Sequence, residues 1–393
     1  MHGRKLIQLL IFILLACNCN AQQNNSYEKA NTESYNLYEK EDWTTLLQYG
    51  KEYIAESPDF IMLRMRMGYA AFMLSNFSEA LIQYDAVLKK DSYNETAHYY
   101  SFLCLKYLNQ LELAGTHIKY LSKEILQKEK LTDFAVTKIG AELSYKNNQV
   151  TTRADGFYIR LDLHTRLHRN VNMYHAVALF NQTISEVKLK TITQNQNIGI
   201  NQKEYYNKTI VNINKKWQAV AAYHYLYTPF NNYTYNNHIG LLGVKYNSHY
   251  FALQADCILG QVTDSTQLQY NATLSFFPKG NLNLYSISTA SYSSRNAKSA
   301  VNFKQVVGAK ISNFLWVEGN TTLGSFSNFM ENDALYVYNA IDNNLFKAGA
   351  TVYISLDSKV IFHAGYTFEQ RQLYKTITTF NQHSITGGLT CKF

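Results

Sequence analysis

The stretch His383-Ser-Ile-Thr-Gly-Gly-Leu-Thr-Cys-Lys-Phe393 decides the fold. Successive side chains of a strand point to opposite faces. Ile385, Gly387, Leu389, Cys391 and Phe393 therefore share one face, and Ser384, Thr386, Gly388, Thr390 and Lys392 share the other. A strand with one greasy face and one small, polar face has two homes. It closes a soluble β-sandwich, or it closes a membrane barrel with lipid outside and water inside.

The same alternation recurs from about Leu131 onward. Phe157, Ile159, Leu161 and Leu163 alternate with Tyr158, Arg160, Asp162 and His164. Leu253, Ala255, Cys257 and Leu259 alternate with Gln254, Asp256 and Ile258. Phe346, Ala348, Ala350 and Val352 alternate with Lys347, Gly349 and Thr351. These segments run about 10–14 residues, which suits a tilted crossing of the hydrocarbon layer better than an ordinary strand. Short connections, such as those near residues 168–170, 278–280 and 357–359, alternate with longer ones near 187–201, 228–236, 293–299, 327–344 and 370–380. Short turns belong in the periplasm and long loops outside, so both ends of the barrel are expected in the periplasm. The count is about 14 antiparallel strands over 132–393, with 12 or 16 as neighbouring solutions. A sandwich explains the alternation but neither the strand length nor the turn asymmetry.

Composition agrees. Only 17% of the 393 residues are charged, and 32 are Tyr. Amphipathic rings are favoured where strand ends meet a membrane interface. The net charge is +8, and about nine net positive charges lie after residue 150. They are scattered among strands, which argues against nucleic acid as a partner. Five cysteines, Cys17, Cys19, Cys104, Cys257 and Cys391, offer neither a disulfide framework nor metal spacing.

The chain before the strands reads differently. Arg4 and Lys5, an apolar run from Leu6 to Ala16 and a small-residue site at Cys19-Asn20-Ala21 predict a signal peptide over 1–21. The alternative is a lipoprotein cleavage that leaves Cys17 lipidated. Residues 22–126 read as helices with a 34-residue period: Trp43, Phe77 and Leu111, and again Leu46, Ala80 and Ala114. That period resembles the tetratricopeptide repeat. The middle unit fits best, with Gly68, Asn76, Phe77, Ala80 and Tyr84 at the family's turn and packing positions, Ala114 serving the third unit, and Arg64 where the family has Trp. The structural reading of its aromatics is core; the functional reading is a groove for a peptide segment of another protein.

Chemistry is sparse. There is no Gly-x-Ser-x-Gly turn, no paired-histidine metal motif and no phosphate loop, so neither catalytic residues nor a cofactor or metal is expected. An outer-membrane hydrolase rests only on scattered Ser and His. His164, His238 and His363 read as lumen residues. Arg160, Asp162, Arg166, Asp256, Lys304, Lys310, Glu318, Lys347, Glu369 and Lys392 are expected to face inward, because Arg or Lys facing lipid at mid-depth costs about 2–4 kcal/mol. Either they cross-link a narrow interior, or they line a weakly anion-selective pathway.

A terminal Phe393 resembles the closing strand of bacterial outer-membrane barrels, where that residue is an assembly signal. The whole arrangement is similar to YaiO-type outer-membrane proteins and, more distantly, to the barrel subunits of exopolysaccharide secretion systems. The resemblance implies an α-plus-β, two-domain protein of the cell outer membrane, with a periplasmic helical array that holds an envelope protein and assists export or envelope assembly. An exported polymer such as a polysaccharide is a second candidate partner, and a channel for small or anionic solutes is the alternative function.

Overall fold

The computed structural model describes residues 26–185, 197–230, 233–262, 265–296, 298–337, 342–357, 359–374 and 376–393. The expected signal peptide lies outside them.

The helical part is built on one repeated turn. Helices α1 (26–39), α2 (Trp43–Glu56), α3 (Ile61–Met73), α4 (Phe77–Lys90) and α5 (Glu95–Tyr107) are followed by the short α6 (Leu111–Ala114), a 3-10 turn (Gly115–Tyr120) and α7 (Lys123–Lys128). Trp43, Phe77 and Leu111 are the first residues of α2, α4 and α6. Just before each sits a left-handed residue: Glu41, Ser75 and Asn109, with φ of 57°, 57° and 56°. Asp42 and Asn76 then cap α2 and α4 by accepting from Thr45 N and Glu79 N, which satisfies an orphan amide at each helix start. The 34-residue spacing is thus a spacing of helix-turn-helix corners.

Packing within the helical unit follows. Leu46, Ala80 and Tyr84 are fully buried. Gly68 lets α3 approach the Tyr84 ring, where an added Cβ would lie 2.8 Å from ring carbons. Phe77 stacks on Tyr107 at 4.9 Å. Arg64, the departure from the repeat pattern, donates to Asp59 Oδ2 at 2.6 Å and to Gln83 at 2.7 Å. Burial pushes the Cys104 thiol up, away from reactive thiolate. This compact unit ends at Tyr107, and the residues from Leu108 belong with the strands. Ala114, read in sequence as part of the helical domain, is buried within that second unit.

Fourteen strands close an antiparallel barrel. In chain order they are β1 (Ala135–Asn148), β2 (Arg153–His168), β3 (Val171–Ile184), β4 (Ile198–Asn212), β5 (Trp217–Phe230), β6 (Tyr233–Asn247), β7 (Phe251–Val262), β8 (Ser265–Phe276), β9 (Leu284–Arg295), β10 (Lys298–Lys310), β11 (Leu315–Phe326), β14 (Asn343–Ser355), β15 (Val360–Gln372) and β16 (Thr379–Lys392). The hairpin β12 (Met330–Glu331) and β13 (Tyr336–Val337) lies between β11 and β14 and is not part of the wall. β1 meets β16, with Ala141 opposite Leu389 and Tyr145 opposite Ile385, so no edge remains. Phe393 N donates to Thr137 O and ties the end of the chain to β1.

Outside, large apolar side chains stand exposed on strand after strand: Leu143, Leu161, Val177, Leu242, Leu259, Val301 and Ile385. Their inward neighbours are polar or charged on most strands. A closed ladder with an apolar exterior is the construction of an outer-membrane β-barrel. Two connections read as long are short. β5 and β6 pair out to Phe230 opposite Tyr233, and β9 and β10 out to Arg295 opposite Lys298. Tyr, Thr and Ser continue the ladder there without the apolar alternation that marks the membrane belt.

Gly68→Val is expected to lower helical stability by about 1–3 kcal/mol through overpacking against Tyr84. A thermal melt of the full chain followed by its helical circular dichroism checks this. Burial raises the Asp59 carboxyl, but hydrogen bonds from Lys90 and Arg64 outweigh it and hold the group below its ordinary value. Such a group adds stability above its unfolded pKa and loses it as pH falls through the folded one. Asp59→Asn should therefore lower the helical melting temperature near neutral pH, with the difference fading as the pH falls through the lowered pKa of the folded carboxyl.

Candidate functional site: a hairpin folded into the lumen

The barrel interior is not uniformly polar. On β3 to β7 the inward face carries Ala176, Val220, Ala222, Leu226, Ile239, Leu241, Ile258 and Val262, all buried. Apolar wall left against luminal water would cost about 25 cal/mol per Å². The β12–β13 hairpin covers it. Met330 and Ala334 are buried in the same cluster, with Leu335 and Val337 packed against it. Gly260 makes room, since an added Cβ there would lie 2.8 Å from the Met330 methyl.

Wall side chains also hold the hairpin backbone. Gln269 donates to Met330 O at 2.8 Å and accepts from Met330 N at 3.2 Å. Gln267 donates to Asn328 O, and Tyr206 donates to Asp333 O at 2.8 Å. His224 Nδ1 lies 2.7 Å from Ala334 O. These bonds grip a tip of three consecutive left-handed residues, Asn332, Asp333 and Ala334, with φ of 53°, 58° and 64°. That conformation costs about 1–2 kcal/mol for a residue with a Cβ. It persists because the wall fixes both neighbouring carbonyls.

The charged side chains of this connection meet wall charges in complementary pairs. Glu331 Oε2 accepts from Lys304 at 3.3 Å and Lys347 at 3.1 Å. Asp333 accepts from Lys208 at 3.0 Å and Gln254 at 2.7 Å. The Tyr336 hydroxyl donates to Glu142 at 2.9 Å and accepts from Arg160. Asp342 takes a two-pronged bond from Arg153, at 2.6 and 2.8 Å. The hairpin is thus glued by apolar contact to one wall and pinned by ions to the rest.

Beside it remains a cavity of about 710 Å³. Its lining holds six cations (Lys146, Arg153, Arg160, Lys304, Lys347 and Arg371) and six carboxylates (Glu142, Glu204, Glu318, Glu331, Asp342 and Glu369). The balance favours neither sign of ion. Of the charges read from sequence, Arg160, Lys304, Glu318, Lys347 and Glu369 line this cavity. Asp162 pairs with Arg160 at 3.3 Å, and Asp256 accepts from Asn271 and Gln254. Arg166 donates to Thr132 O, and Lys310 lies over the Trp316 ring, both near the barrel end where β1 begins. Among the described residues no His, Cys, Asp and Glu gather as a metal site.

Two expectations fail here. Of the connection near 327–344, read as an outside loop, residues 328–337 turn into the lumen because Met330, Ala334 and Leu335 have an apolar wall to cover. His238 faces outward, hydrogen-bonded by the Tyr223 hydroxyl at 2.8 Å, whereas His164 and His363 point inward beside Asp162 and Glu142. Sequence reasoning also missed Glu142, Arg153, Glu331, Asp333, Tyr336 and Asp342. A signal was present: Ala219–Ala222 and Ile239–Leu242 are apolar or glycine on both faces, which no strand between lipid and water can be unless something covers it.

No protein-family model matches the chain, and no curated protein matches it. Among solved structures it is similar to a bacterial polysaccharide outer membrane secretin, at 8% identity and a TM-score of 0.39, over 66% of this chain and 98% of that one. It is similar to the NanC porin, at 10% and 0.36, over 65% and 100%. It is also similar to the Pseudomonas putida toluene transporter TodX, at 6% and 0.41, over 65% and 89%. At these scores the likenesses carry no weight for function. The chain is an outer-membrane β-barrel on its own geometry.

Arg153→Ala should destabilise the barrel by about 3–5 kcal/mol by leaving Asp342 buried and unpaired. Replacing both residues with Leu should restore most of the loss. Heat-dependent mobility of the folded barrel on gels reads both outcomes.

Proposed function

We propose that the barrel is a membrane anchor with a largely filled interior, and that the helical unit is a periplasmic docking module of tetratricopeptide type, as in YaiO-like proteins. In this reading residues 1–21 are the export signal, the bound partner is an envelope protein, and the complex assists export or envelope assembly without catalysis. The observation that carries the reading is the hairpin: a lumen filled by its own chain is built to hold position, not to pass bulk solute. The even strand number supports the orientation, because it brings the start of β1 and the end of β16 to one mouth, and the helices precede β1 directly. Exposed Tyr35, Tyr93 and Tyr107 give the helical unit the aromatic surface that peptide and protein partners use.

The cavity favours a second reading, a narrow conduit for small polar solutes. Its balanced lining supports no anion preference, so the net charge of +8 is not evidence of one.

Photo-crosslinking amino acids placed at Tyr93 and Tyr107 of the full chain in cells are expected to capture one discrete envelope protein, with none captured from Val301 on the lipid face. Absence of adducts from every exposed helical position, with the barrel folded, would end the docking reading.

A further inference from the structure

A second, smaller pocket lies at the mouth where β1 begins and β16 ends, roofed by Leu111 and Glu112 of α6. Its volume is about 50 Å³. One water needs about 10–15 Å³ of such space, so the pocket has room for about four waters or one tetrahedral anion. Donors converge on it. Lys138 and Lys208 line it, with Asn172 between them in strand order. The Asn172 amide nitrogen is buried and has no hydrogen-bond partner among the described residues. A buried donor left unmade costs about 1–3 kcal/mol, so the site is incomplete as protein alone.

The local charge points the same way. Lys392 stands opposite Lys138 in the ladder, and Lys245 is the third residue from the end of β6. Against these four cations stand Glu112 in the roof and Asp333, which already holds Lys208 at 3.0 Å. Among the described residues Lys138 donates only to the Asn109 side-chain oxygen, at 3.1 Å. Asp162 beside the pocket is occupied by Arg160 and His164. Cations exceed carboxylates, and the unmet group is a donor. A divalent metal is refused by the lysines, and a neutral solute would leave the surplus charge unanswered.

We propose that this pocket binds a small oxyanion of the phosphate class. The proposal is independent of what the helical unit docks. Asn172 supplies a neutral donor, Lys138 and Lys208 the charge, and Glu112 sets the affinity by opposing it.

The test is lysine acetylation of the refolded full chain, read by mass spectrometry, with inorganic phosphate against chloride at equal ionic strength. At phosphate ten times its dissociation constant, acetylation of Lys138 and Lys208 should slow by about tenfold, with Lys304 and Lys347 unchanged. Asn172→Leu should remove the protection, and Glu112→Gln should move it to lower phosphate. Glycerol phosphate in place of inorganic phosphate separates the sources: protection by both means that the anion is recognised as part of a larger molecule, and protection by inorganic phosphate alone means the free ion. Labelling in the wild-type chain that phosphate leaves unchanged, or that chloride slows equally, overturns the proposal without reference to any variant. So does protection that survives Asn172→Leu in a folded barrel.

Discussion

The structure depends on one apolar contact, between the inward face of β3 to β7 and the hairpin at Met330–Val337. A membrane barrel has a simple rule: lipid outside demands apolar residues, and water inside demands polar ones. This barrel breaks the rule along one arc of its interior, where Leu226, Ile239, Leu241, Ile258 and Val262 face the lumen. The hairpin repairs the breach. Once it lies there, its acidic residues must be answered, and Lys208, Lys304, Lys347 and Arg153 answer them. The left-handed tip, the missing Cβ at Gly260 and the amide bonds of Gln267 and Gln269 are consequences of the same placement.

That contact also underlies the proposed function. With one arc covered, the free space is confined to the polar arc, where opposite charges are matched. In the proposed anchor reading such a lumen resists bulk flow and stiffens the barrel. It therefore suits a part that must hold something else in place. The charge that is not matched by an ion pair gathers at the mouth beside α6, around Lys138, Lys245 and Lys392, so the interior is divided into a neutral middle and a basic end.

Much of this was legible in the chain. The strands were, because two solvents impose a period of two on most segments, and Phe157–Leu163 or Phe346–Val352 shows it without reference to any other residue. The helical corners were, because the left-handed residue, the cap and the first helix position recur together at Glu41, Asp42 and Trp43 and again at Ser75, Asn76 and Phe77. The hairpin was not. Its partners are distant in sequence, with Asp342 lying 189 residues from Arg153 and Tyr336 lying 194 from Glu142. Its length alone suggested an outside loop. Local alternation cannot reveal which connection fills an interior, but strands that are apolar on both faces reveal that some connection must.

Hydrogen–deuterium exchange over residues 327–337 of the folded barrel measures the central contact directly. A hairpin that forms part of the interior should exchange as slowly as the inward strands β5 to β7, with the Met330 amide, bonded to Gln269, among the slowest. Exchange of that segment at the rate of the exposed turn at Asn214–Lys216, while the strands stay protected, would mean that the apolar arc is not held covered and would contradict the reading of a filled lumen.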